Sequence, residues 1–579
     1  MKKYIAVVSM AVIVIAGLTW WSWKQLHISP VETNVLRLSL DNAVESLDPA
    51  KAYGDDALVV ASQVLEPLYQ YHYLKRPYEI QPLLADSMPL ILEKGSLVKI
   101  KLKKGIFFHD HPAFMGKPRE LVADDLVMQF KRLAMAKLKS PGRSLFAGLI
   151  KGFEEYDDLI GGNWKKLRST NMEGVSAPDE STLLIHLSKA EPNLIYYLAL
   201  NFVIPVPWEL VDHYKNEFDN VLVGTGPYVY KGFNGQYFAM ERNNSYREDF
   251  YPSSGDRYAN VKNLLDSSKE RIPFIGQVRF YLTSQENERW EKFLKHEIDL
   301  LTVPKTFLPK LYDEKGDLSS DLKSKDIELK HFPILANRWL GFNMRHPVMG
   351  TNEYLRRAIA YSIDYDQYIQ ILSQNTNLRA NSILVPGISG YAPAKALRLK
   401  YDINLAREYL KLAGFTPGKM PKIVYSTRGN QGINLVEAEF IKKMLAAIGL
   451  EIEIEVLTFP EFLKKGRAGE LMFFTDNWLF DYPDGENILQ LLVSTNFPGI
   501  NKSGYSNKAV DELYYKLKET INLDQRDKII HEMEELVFSD LPWIPLMYES
   551  SFVVQYPEIK NFRKSSLIRN YVKYLKIER

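Results

Sequence analysis

Hydrophobic and polar positions alternate along several short segments of the chain, as they do in half-buried strands. Apolar residues alternate with lysines over residues 98–103, and a second alternating segment covers residues 183–187. Because successive side chains of a strand point to opposite faces, each segment predicts a strand with one buried face.

Other segments repeat apolar residues every three or four positions, which predicts helices. One such helix follows Asp402, a residue able to cap its first turn, and Gly414 ends it. The clearest unit is residues 435–456, where a helical repeat stops at Gly449 and an alternation of apolar residues with glutamates follows. A helix followed directly by a strand is typical of layered α/β domains. Residues 251–271 are irregular and rich in Pro, Ser and charged residues, and they predict a surface loop.

The N-terminus predicts export from the cytoplasm. Lys2 and Lys3 precede an uncharged apolar segment, residues 4–23, which as a helix would span about 30 Å, the thickness of a bilayer core. Flanking lysines stay in the cytoplasm, so the rest of the chain lies outside. A transmembrane anchor and a cleaved signal peptide remain open for residues 1–32. Trp20, Trp21 and Trp23, which follow shortly after Ala16-Gly17-Leu18, favour the anchor because they resemble an interfacial aromatic belt.

Composition excludes several classes of protein. The 579 residues contain no cysteine, which excludes thiol catalysis, disulfides, cysteine zinc sites and a lipidated N-terminal cysteine. Lysine and arginine total 73 and acidic residues 71, so no charge excess favours nucleic acid as a partner. A length of 579 residues predicts several structural domains.

Sequence motifs of common catalytic sites are absent. The chain has no Gly-Lys-Ser/Thr phosphate loop, no zincin histidine pair and no Gly-x-Ser-x-Gly nucleophile elbow. His109, Asp110 and His111 allow either a metal site or a polar turn, and the turn is favoured because adjacent side chains diverge in an extended chain. We therefore predict no catalytic residue, no metal and no cofactor.

Acidic residues surround Trp478 directly after an apolar segment. They are Asp476, Asp481, Asp484 and Glu486. Three interpretations remain open: a solvated turn in which Asp481 or Asp484 caps a helix, a recognition loop that combines Trp478 with a carboxylate, and a carboxylate pair of a glycoside hydrolase.

A series of short motifs extends in one order from about residue 34 to the C-terminus. They are Ser46-Leu47-Asp48-Pro49, Val64-Leu65-Glu66-Pro67-Leu68, Leu102-Lys103-Lys104-Gly105 through His109-Asp110, Val223-Gly224-Thr225-Gly226-Pro227-Tyr228, Phe342-Asn343 with Arg356-Arg357-Ala358-Ile359, Asp402 through Gly414-Phe415, and Trp478 through Asp481-Tyr482-Pro483-Asp484. Together they resemble the extracytoplasmic solute-binding proteins of family 5, which serve peptide, dipeptide and nickel ABC importers. The chain departs from the family where His111 replaces a glycine and an insertion precedes Ala123.

The resemblance implies an α/β fold of the two-lobed periplasmic-binding-protein type, class II, with an additional small domain and a hinge between the lobes. An N-terminal transmembrane helix would precede these lobes. The implied segments are 1–32 for the signal or anchor, 33–57, 181–284 and a return segment 516–579 for lobe I, 58–180 for the small domain, and 285–515 for lobe II.

The implied function is that of a non-enzymatic substrate-binding component of an ABC importer. Its two lobes would close over a small peptide-like solute and deliver it to an inner-membrane permease, with the protein a monomer at the periplasmic or extracytoplasmic face. A nickel chelate, haem or a sugar is the alternative ligand. From other classes, a secreted hydrolase using Asp481 and Asp484, and a peptide-holding chaperone or sensor, remain open.

The resemblance also implies a set of ligand-binding residues: Asp481, Trp478, Tyr281, Phe459 and Glu66. Asp481 follows Trp478 by three positions, as does the aspartate that captures the ligand's α-ammonium in peptide-binding relatives. Glu66 would face the cleft from the small domain. Thr475 stands where an arginine for a peptide carboxylate is sought, so ligand length and identity stay open.

Overall fold

The computed structural model describes residues 34–313, 317–373, 376–392, 399–415, 420, 422–430 and 432–578. The predicted signal or anchor segment, residues 1–32, lies outside the described residues. Within the described ranges, no helix combines the length and apolar character needed to cross a membrane.

The strands and helices follow one another along the whole described chain. The strands are β1 (Val35–Leu40), β2 (Tyr69–Tyr71), β3 (Ile80–Pro82), β4 (Leu90–Leu92), β5 (Leu97–Lys101), β6 (Val175–Asp179), β7 (Thr182–His186), β8 (Tyr228–Phe233), β9 (Tyr237–Arg242), β10 (Gln277–Leu282), β11 (Leu300–Thr302), β12 (Glu328–Phe342), β13 (Leu378–Arg379), β14 (Ile423–Ser426), β15 (Ile452–Glu455), β16 (Phe473–Leu479), β17 (Trp543–Gln555), β18 (Ile559–Lys560) and β19 (Lys576–Ile577). The α-helices are α1 (Asp55–Ala61), α2 (Ala123–Ala134), α3 (Arg143–Phe146), α4 (Glu155–Ile160), α5 (Leu194–Tyr197), α6 (Trp208–His213), α7 (Arg257–Val261), α8 (Glu286–Leu294), α9 (Ser320–Lys323), α10 (Glu353–Ser362), α11 (Tyr365–Ser373), α12 (Ile403–Leu412), α13 (Gly432–Ala446), α14 (Phe459–Ala468), α15 (Glu486–Leu489), α16 (Lys508–Glu519) and α17 (Leu523–Asp540). Short 3₁₀ helices cover Glu93–Gly95, Pro112–Phe114, Ala136–Leu138, Trp164–Lys166, Asn201–Val203, Lys305–Lys310, Gln490–Leu492, Ser494–Asn496 and Tyr571–Tyr574.

One large mixed sheet runs through the molecule. Eleven of the described strands form it, in the order β15-β14-β16-β12-β17-β11-β1-β10-β9-β8, with β13 paired to β17. The long antiparallel strands β12 and β17 lie in the middle and join strands from the two halves of the chain. Their register shifts between Pro333 and Asn337 and again between Arg338 and Trp339. The sheet is therefore continuous, but its central pairing is irregular.

A separate four-stranded sheet has the order β4-β5-β7-β6, and α2 packs against it. Its antiparallel pairing of β5 with β7 confirms both predicted alternating strands, since Val98, Ile100, Leu183 and Ile185 are buried. Phe130 and the other apolar residues of α2 belong to the same hydrophobic cluster. The sheet extends to β7, beyond residue 180; the segment limits of the domains stay predictions.

The predicted helix and helix–strand unit of the second half are confirmed. Asp402 Oδ1 accepts hydrogen bonds from the backbone N–H groups of Asn404 (3.1 Å) and Leu405 (2.9 Å), which caps α12. Helix α13 leads to β15 through Gly449, whose φ of 84° is the left-handed conformation that glycine adopts without strain. Local sequence alone therefore specifies these elements.

Helices α16 and α17 pack with Trp339 and Phe480 in one hydrophobic cluster. Strand β17 then carries the chain into another cluster, around Leu36, Phe280 and Val553. The predicted return segment 516–579 thus begins beside the former cluster and ends in the latter.

The prediction of a plain surface loop at residues 251–271 is wrong. Helix α7 lies inside this segment, and Tyr251 and Ala259 are buried. They share a hydrophobic cluster with Tyr73 and Tyr574, and the ring of Tyr251 lies edge-on to the rings of both tyrosines. Distant aromatic residues therefore order a segment whose own composition is typical of a loop.

Candidate functional site

A narrow cavity of about 70 Å³ lies beside the loop that follows β16. Its walls come from residues 58–71, 199–204 and 567–570, and Asp481 belongs to its lining. A larger open depression of about 530 Å³ lies around Asp249 and Tyr574 and contains none of the predicted site residues. The position of Asp481 makes the narrow cavity the candidate site.

Three members of the acidic cluster, Asp476, Glu486 and Asp484, are paired with lysine or arginine. Asp476, which lies in β16, accepts from Arg428 Nε at 3.0 Å and from Lys502 Nζ at 2.5 Å. Glu486 lies 3.6 Å from Lys518 Nζ and also accepts from tyrosine hydroxyls. The carboxylates of Asp476 and Glu486 are buried, and both are part of the protein's internal contacts.

Asp484 forms a buried ion pair. Its two carboxylate oxygens accept from Arg526 Nη2 at 2.7 Å and Arg526 Nε at 3.2 Å, and both residues are 3% exposed. Asp484 also accepts from the backbone N–H of Glu486 at 2.9 Å, as the turn interpretation expects. A carboxylate held in this way cannot approach a substrate, which argues against a hydrolase that uses Asp481 and Asp484 as a pair.

Asp481 differs from the other members of the cluster because, within the described ranges, it forms no ion pair with lysine, arginine or histidine. Its Oδ2 accepts from the neutral amide of Asn487 at 3.3 Å. Asp481 is exposed at the cavity wall. The surrounding protein nevertheless limits the access of bulk water, and this desolvation raises the pKa of the carboxyl from the ordinary 3.8. Asn487 and Arg569 act in the opposite direction and lower this pKa. Its charge is therefore available to a cationic group that enters the cavity.

Asn487 connects the two residues that the sequence singled out. Its Oδ1 accepts from Trp478 Nε1 at 2.8 Å and from the backbone N–H of Asp481 at 3.1 Å, while its Nδ2 donates to the Asp481 carboxylate. Trp478 is half-buried in β16 and packs against the cluster of Trp339 and Phe480, outside the cavity lining. Sequence reasoning missed Asn487, whose only signal was its place at the end of the acidic cluster.

Glu66 lies in an internal network and does not line the cavity. Its oxygens accept from Arg247 at 2.7 and 2.8 Å, from the Tyr246 hydroxyl at 2.8 Å and from the Thr225 hydroxyl at 2.9 Å. Burial disfavours ionisation of Glu66, but Arg247 outweighs this and lowers the pKa of the carboxyl. The resemblance implies that Glu66 faces the cleft, and its role in ligand binding stays a prediction.

The Gly-Thr-Gly motif packs against the segment that carries Glu66. Gly226 donates its backbone N–H to the carbonyl of Val64 at 2.9 Å. A Cβ on Gly224 would lie 2.2 Å from the same carbonyl oxygen, so a larger residue would force the two segments apart. Two family motifs that are distant in sequence thus form one structural unit.

Tyr281 and Phe459 lie away from the cavity lining. Tyr281, in β10, packs its ring 5.0 Å from the ring of Tyr237 and 5.7 Å from Lys292 Nζ. Phe459 begins α14, is 43% exposed and lies under the guanidinium of Arg428 at 4.7 Å. The structure brings neither residue to Asp481, and their role in ligand binding stays a prediction.

Contacts beside the cavity join the acidic cluster to the segment around α5. Asn193 Nδ2 donates to Glu486 Oε2 at 3.0 Å. The rings of Tyr196 and Tyr482 stack at 5.7 Å with an angle of 10° between their planes. These contacts hold the two sides of the cavity together.

The histidines considered as metal ligands have separate partners. His109 Nε2 lies 3.0 Å from the carbonyl of Gly226, and His111 Nε2 lies 2.8 Å from the Tyr214 hydroxyl. Within the described residues, ligand atoms of His296, Asp299 and Glu558 do come within 4.8 Å of one another. Arg37 donates to both oxygens of Asp299 there, and its positive charge opposes a metal ion.

Comparison with known proteins gives one consistent result. The chain is 24% identical over 547 residues to the di/tripeptide-binding protein 2 of Pseudomonas aeruginosa (strain UCBPP-PA14), covering 93% of each chain. It is 23% identical over 515 residues to the dipeptide-binding protein of Escherichia coli (strain K12), covering 86% of each. The solved structure of HbpA2 from Haemophilus parasuis superposes with a TM-score of 0.76 at 20% identity, covering 94% of this chain and 100% of that one.

These likenesses confirm the predicted α/β fold of periplasmic binding proteins. The model of the bacterial extracellular solute-binding proteins, family 5 Middle, matches residues 79–499, which is most of the chain. The chain therefore belongs to the bacterial extracellular solute-binding proteins of family 5.

Proposed function

We propose that this protein is the extracytoplasmic substrate-binding component of an ABC importer and that it captures a short peptide between two closing lobes. Members of its family are substrate-binding transport proteins, and the relatives most similar in sequence include di/tripeptide- and dipeptide-binding proteins. The observation that carries the proposal is the state of Asp481, a cavity carboxylate with no ion-pair partner among the described residues.

The α-ammonium of a peptide suits Asp481 on electrostatic grounds. An ammonium enclosed by protein needs an opposite charge, because an unpaired buried ion is costly. Asp481 supplies that charge, and Asn487 fixes the direction of its carboxylate through Oδ2. No histidine is found in the described cavity lining, so the lining offers no imidazole ligand for a nickel chelate.

The size of the cavity supports opening and closing of the lobes. Ligand pockets usually have volumes of about 300–1,000 Å³, so a cavity of about 70 Å³ must widen before it admits a peptide. We assign the hinge to β12 and β17, whose pairing is irregular between Pro333 and Asn337. The contacts of Asn193 with Glu486 and of Tyr196 with Tyr482 would then belong to the closed form.

Calorimetric titration with di- and tripeptides and their N-acetylated forms tests this function. A peptide with a free amine should bind and be recovered intact, and its N-acetylated form should bind far more weakly. Haem, a nickel chelate and oligosaccharides serve as comparison ligands. Tight binding of one of these without binding of any peptide would refute the peptide assignment, and product formation would refute the non-enzymatic assignment.

We further propose that the protein acts as a monomer outside the cytoplasmic membrane and delivers its ligand to an ABC permease in that membrane. Residues 1–32 would either tether it or be removed as a signal peptide. Both alternatives are compatible with a family of extracellular solute-binding proteins.

A further inference from the structure

Arg569 lines the same cavity as Asp481 and carries the opposite charge. Its Nε donates to Asp55 Oδ1 at 2.9 Å, in an ion pair whose side chains are 28% and 73% exposed. Exposed ion pairs of this kind contribute little to stability. The terminal Nη1 and Nη2 have no hydrogen-bond partner among the described residues, so most of the donors of the guanidinium remain available.

Tyr71 provides a second, independent sign of an unfilled polar position. Its hydroxyl is buried and has no hydrogen-bond partner within the described residues, and Tyr71 lines the same cavity. Both Tyr71 and Arg569 line this cavity. Burial raises the pKa of the phenol well above 10, and the positive charge of Arg569 opposes the rise. A buried hydroxyl without a partner is costly, so a ligand acceptor at this position would relieve the cost.

We propose that Arg569 and Tyr71 form an anion subsite that binds a carboxylate of the ligand. This inference rests on the proposed function and deepens it. The planar guanidinium offers parallel N–H donors that match the two oxygens of a carboxylate, and the tyrosine hydroxyl adds a third donor.

The position of the two charges in the fold gives the subsite a further role. Asp481 belongs to one part of the cavity wall, the loop after β16, whereas Arg569 belongs to another, the C-terminal segment, in which Ile568 and Tyr574 pack in the cluster of Tyr73 and Tyr251. A zwitterionic ligand would join both parts through its own charges. Only the closed arrangement lets one ligand contact both Asp481 and Arg569. Such a ligand therefore binds the closed form more tightly than the open form and favours closure.

A carboxylate can come from the C-terminus of a short peptide or from an acidic side chain. Dipeptides Ala-X, in which X is each natural amino acid, and the same dipeptides as C-terminal amides separate these sources. Binding is measured by calorimetry on the wild type and on the variants Arg569→Gln, Arg569→Lys and Tyr71→Phe. Arg357→Gln is the matched control, because Arg357 forms an exposed ion pair with Glu353 away from the cavity.

For a C-terminal source, amidation of wild-type ligands should weaken binding by about 30-fold or more, and Arg569→Gln should weaken binding of the free acids equally while leaving the amides unaffected. For a side-chain source, dipeptide amides that contain Asp or Glu should bind more tightly than those that contain Asn or Gln. Arg569→Gln should abolish this difference in affinity. Arg569→Lys should restore part of the affinity, and Tyr71→Phe should weaken binding of the same ligands only.

Unchanged affinity of Arg569→Gln for every carboxylate-bearing dipeptide would overturn the subsite while leaving the proposed function in place. Failure of every free-amine di- and tripeptide to bind the wild type would overturn the proposed function, and the subsite with it. The comparison of acids with amides on the wild type needs no variant, so a misfolded variant cannot conceal the result.

Discussion

Lys518 Nζ lies 3.0 Å from Glu191 Oε2, and the two side chains are only 24% and 5% exposed. This ion pair joins α16 to the segment before α5, beside the Asn193–Glu486 hydrogen bond. It therefore spans the surfaces that must separate when the cavity widens, although neither residue lines the cavity.

Removing this ion pair should weaken ligand binding from a distance. Glu191→Gln destabilises the closed form, and the apparent affinity falls with the population of that form; we expect a loss of about tenfold or less. Calorimetry measures the affinity, and small-angle scattering measures the radius of gyration without ligand, which should increase. Lys508→Met, which breaks the exposed pair of Lys508 with Glu512, is the control and should change neither quantity. Equal affinity in Glu191→Gln and the wild type would exclude a role of this pair in closure.

Asn487 should orient Asp481 and Trp478 together. Asn487→Ala removes the oxygen that accepts from the indole N–H of Trp478 and from the backbone N–H of Asp481. Because both donors lose this partner, we expect about a tenfold or greater loss of affinity. Asn487→Asp retains the acceptor but places a like charge beside Asp481, which should raise the pKa of Asp481 and move the acid limit of binding to higher pH. Asn496→Ala, outside the cavity lining, serves as the control for loss of a neighbouring amide. If both Asn487 variants bind the ligand with wild-type affinity, Asn487 does not orient Asp481 and Trp478 for binding.

Asp481→Asn and Asp484→Asn should separate binding from stability. Asp481→Asn removes the charge that meets the α-ammonium, which costs about 2–5 kcal/mol or roughly thirty- to several-thousandfold in affinity. Its melting temperature without ligand should not fall, because desolvation already disfavours the charged carboxyl. Asp484→Asn leaves the buried Arg526 without its counter-charge and should lower the free energy of unfolding by about 3–5 kcal/mol.

Calorimetric titration and thermal unfolding of both variants provide the two readouts. A loss of affinity of the same size for a peptide and its N-acetylated form would make Asp481 structural rather than ligand-binding. The reverse assignment, with Asp484 controlling affinity and Asp481 controlling stability, would refute the site as described.

The affinity for a peptide should depend on pH through Asp481. Desolvation by the surrounding protein raises the pKa of this carboxyl above 3.8, so protonation begins at a higher pH than for a fully solvated aspartate and removes the attraction for the ammonium. Affinity should therefore fall as the pH decreases through the raised pKa, while the peptide's amino group stays protonated. Calorimetry over a pH series checks this, and Asp481→Asn should flatten the acid limb. An unaltered acid limb in that variant would assign the titration to another group.

Removal of residues 1–32 should leave a folded, soluble protein that binds the same ligand. The cores of the described residues are built from residue 35 onwards, so we expect them to form without the N-terminal segment. The full-length chain, if anchored, should stay with the membrane during carbonate extraction. A mature N-terminus beyond Lys24 in a soluble extracytoplasmic fraction would show cleavage instead.

Elements with a strong local pattern could be predicted from the sequence. The alternation in β5 and β7, and the cap that Asp402 provides for α12, depend on neighbouring residues only. Trp478 was expected beside a turn, but it lies inside β16, which continues because it pairs with β12 at Asn337. That partner is far away in sequence, so no local pattern reveals it.

In the candidate site, too, local motifs could be predicted from the sequence, whereas contacts with remote residues could not. Asp481 and Trp478 could be singled out by their motif, but the pairing of Asp484 with Arg526 and of Glu66 with Arg247 could not. Each pair joins a carboxylate to an arginine in a remote segment. Only the fold shows which carboxylate of the acidic cluster forms no ion pair with another described residue.

The two end strands of the large sheet have a consequence for the behaviour of the protein at high concentration. An open sheet edge can add a strand from a second molecule, and charged side chains or bulges prevent this. At one end, Glu453 in β15 pairs with Lys422 at 2.8 Å. At the other end, β8 has a register shift between Tyr230 and Gly232, and Lys231 between them pairs with Glu241 at 3.1 Å. Both edges thus disfavour edge-to-edge aggregation, which an eleven-stranded open sheet would otherwise invite.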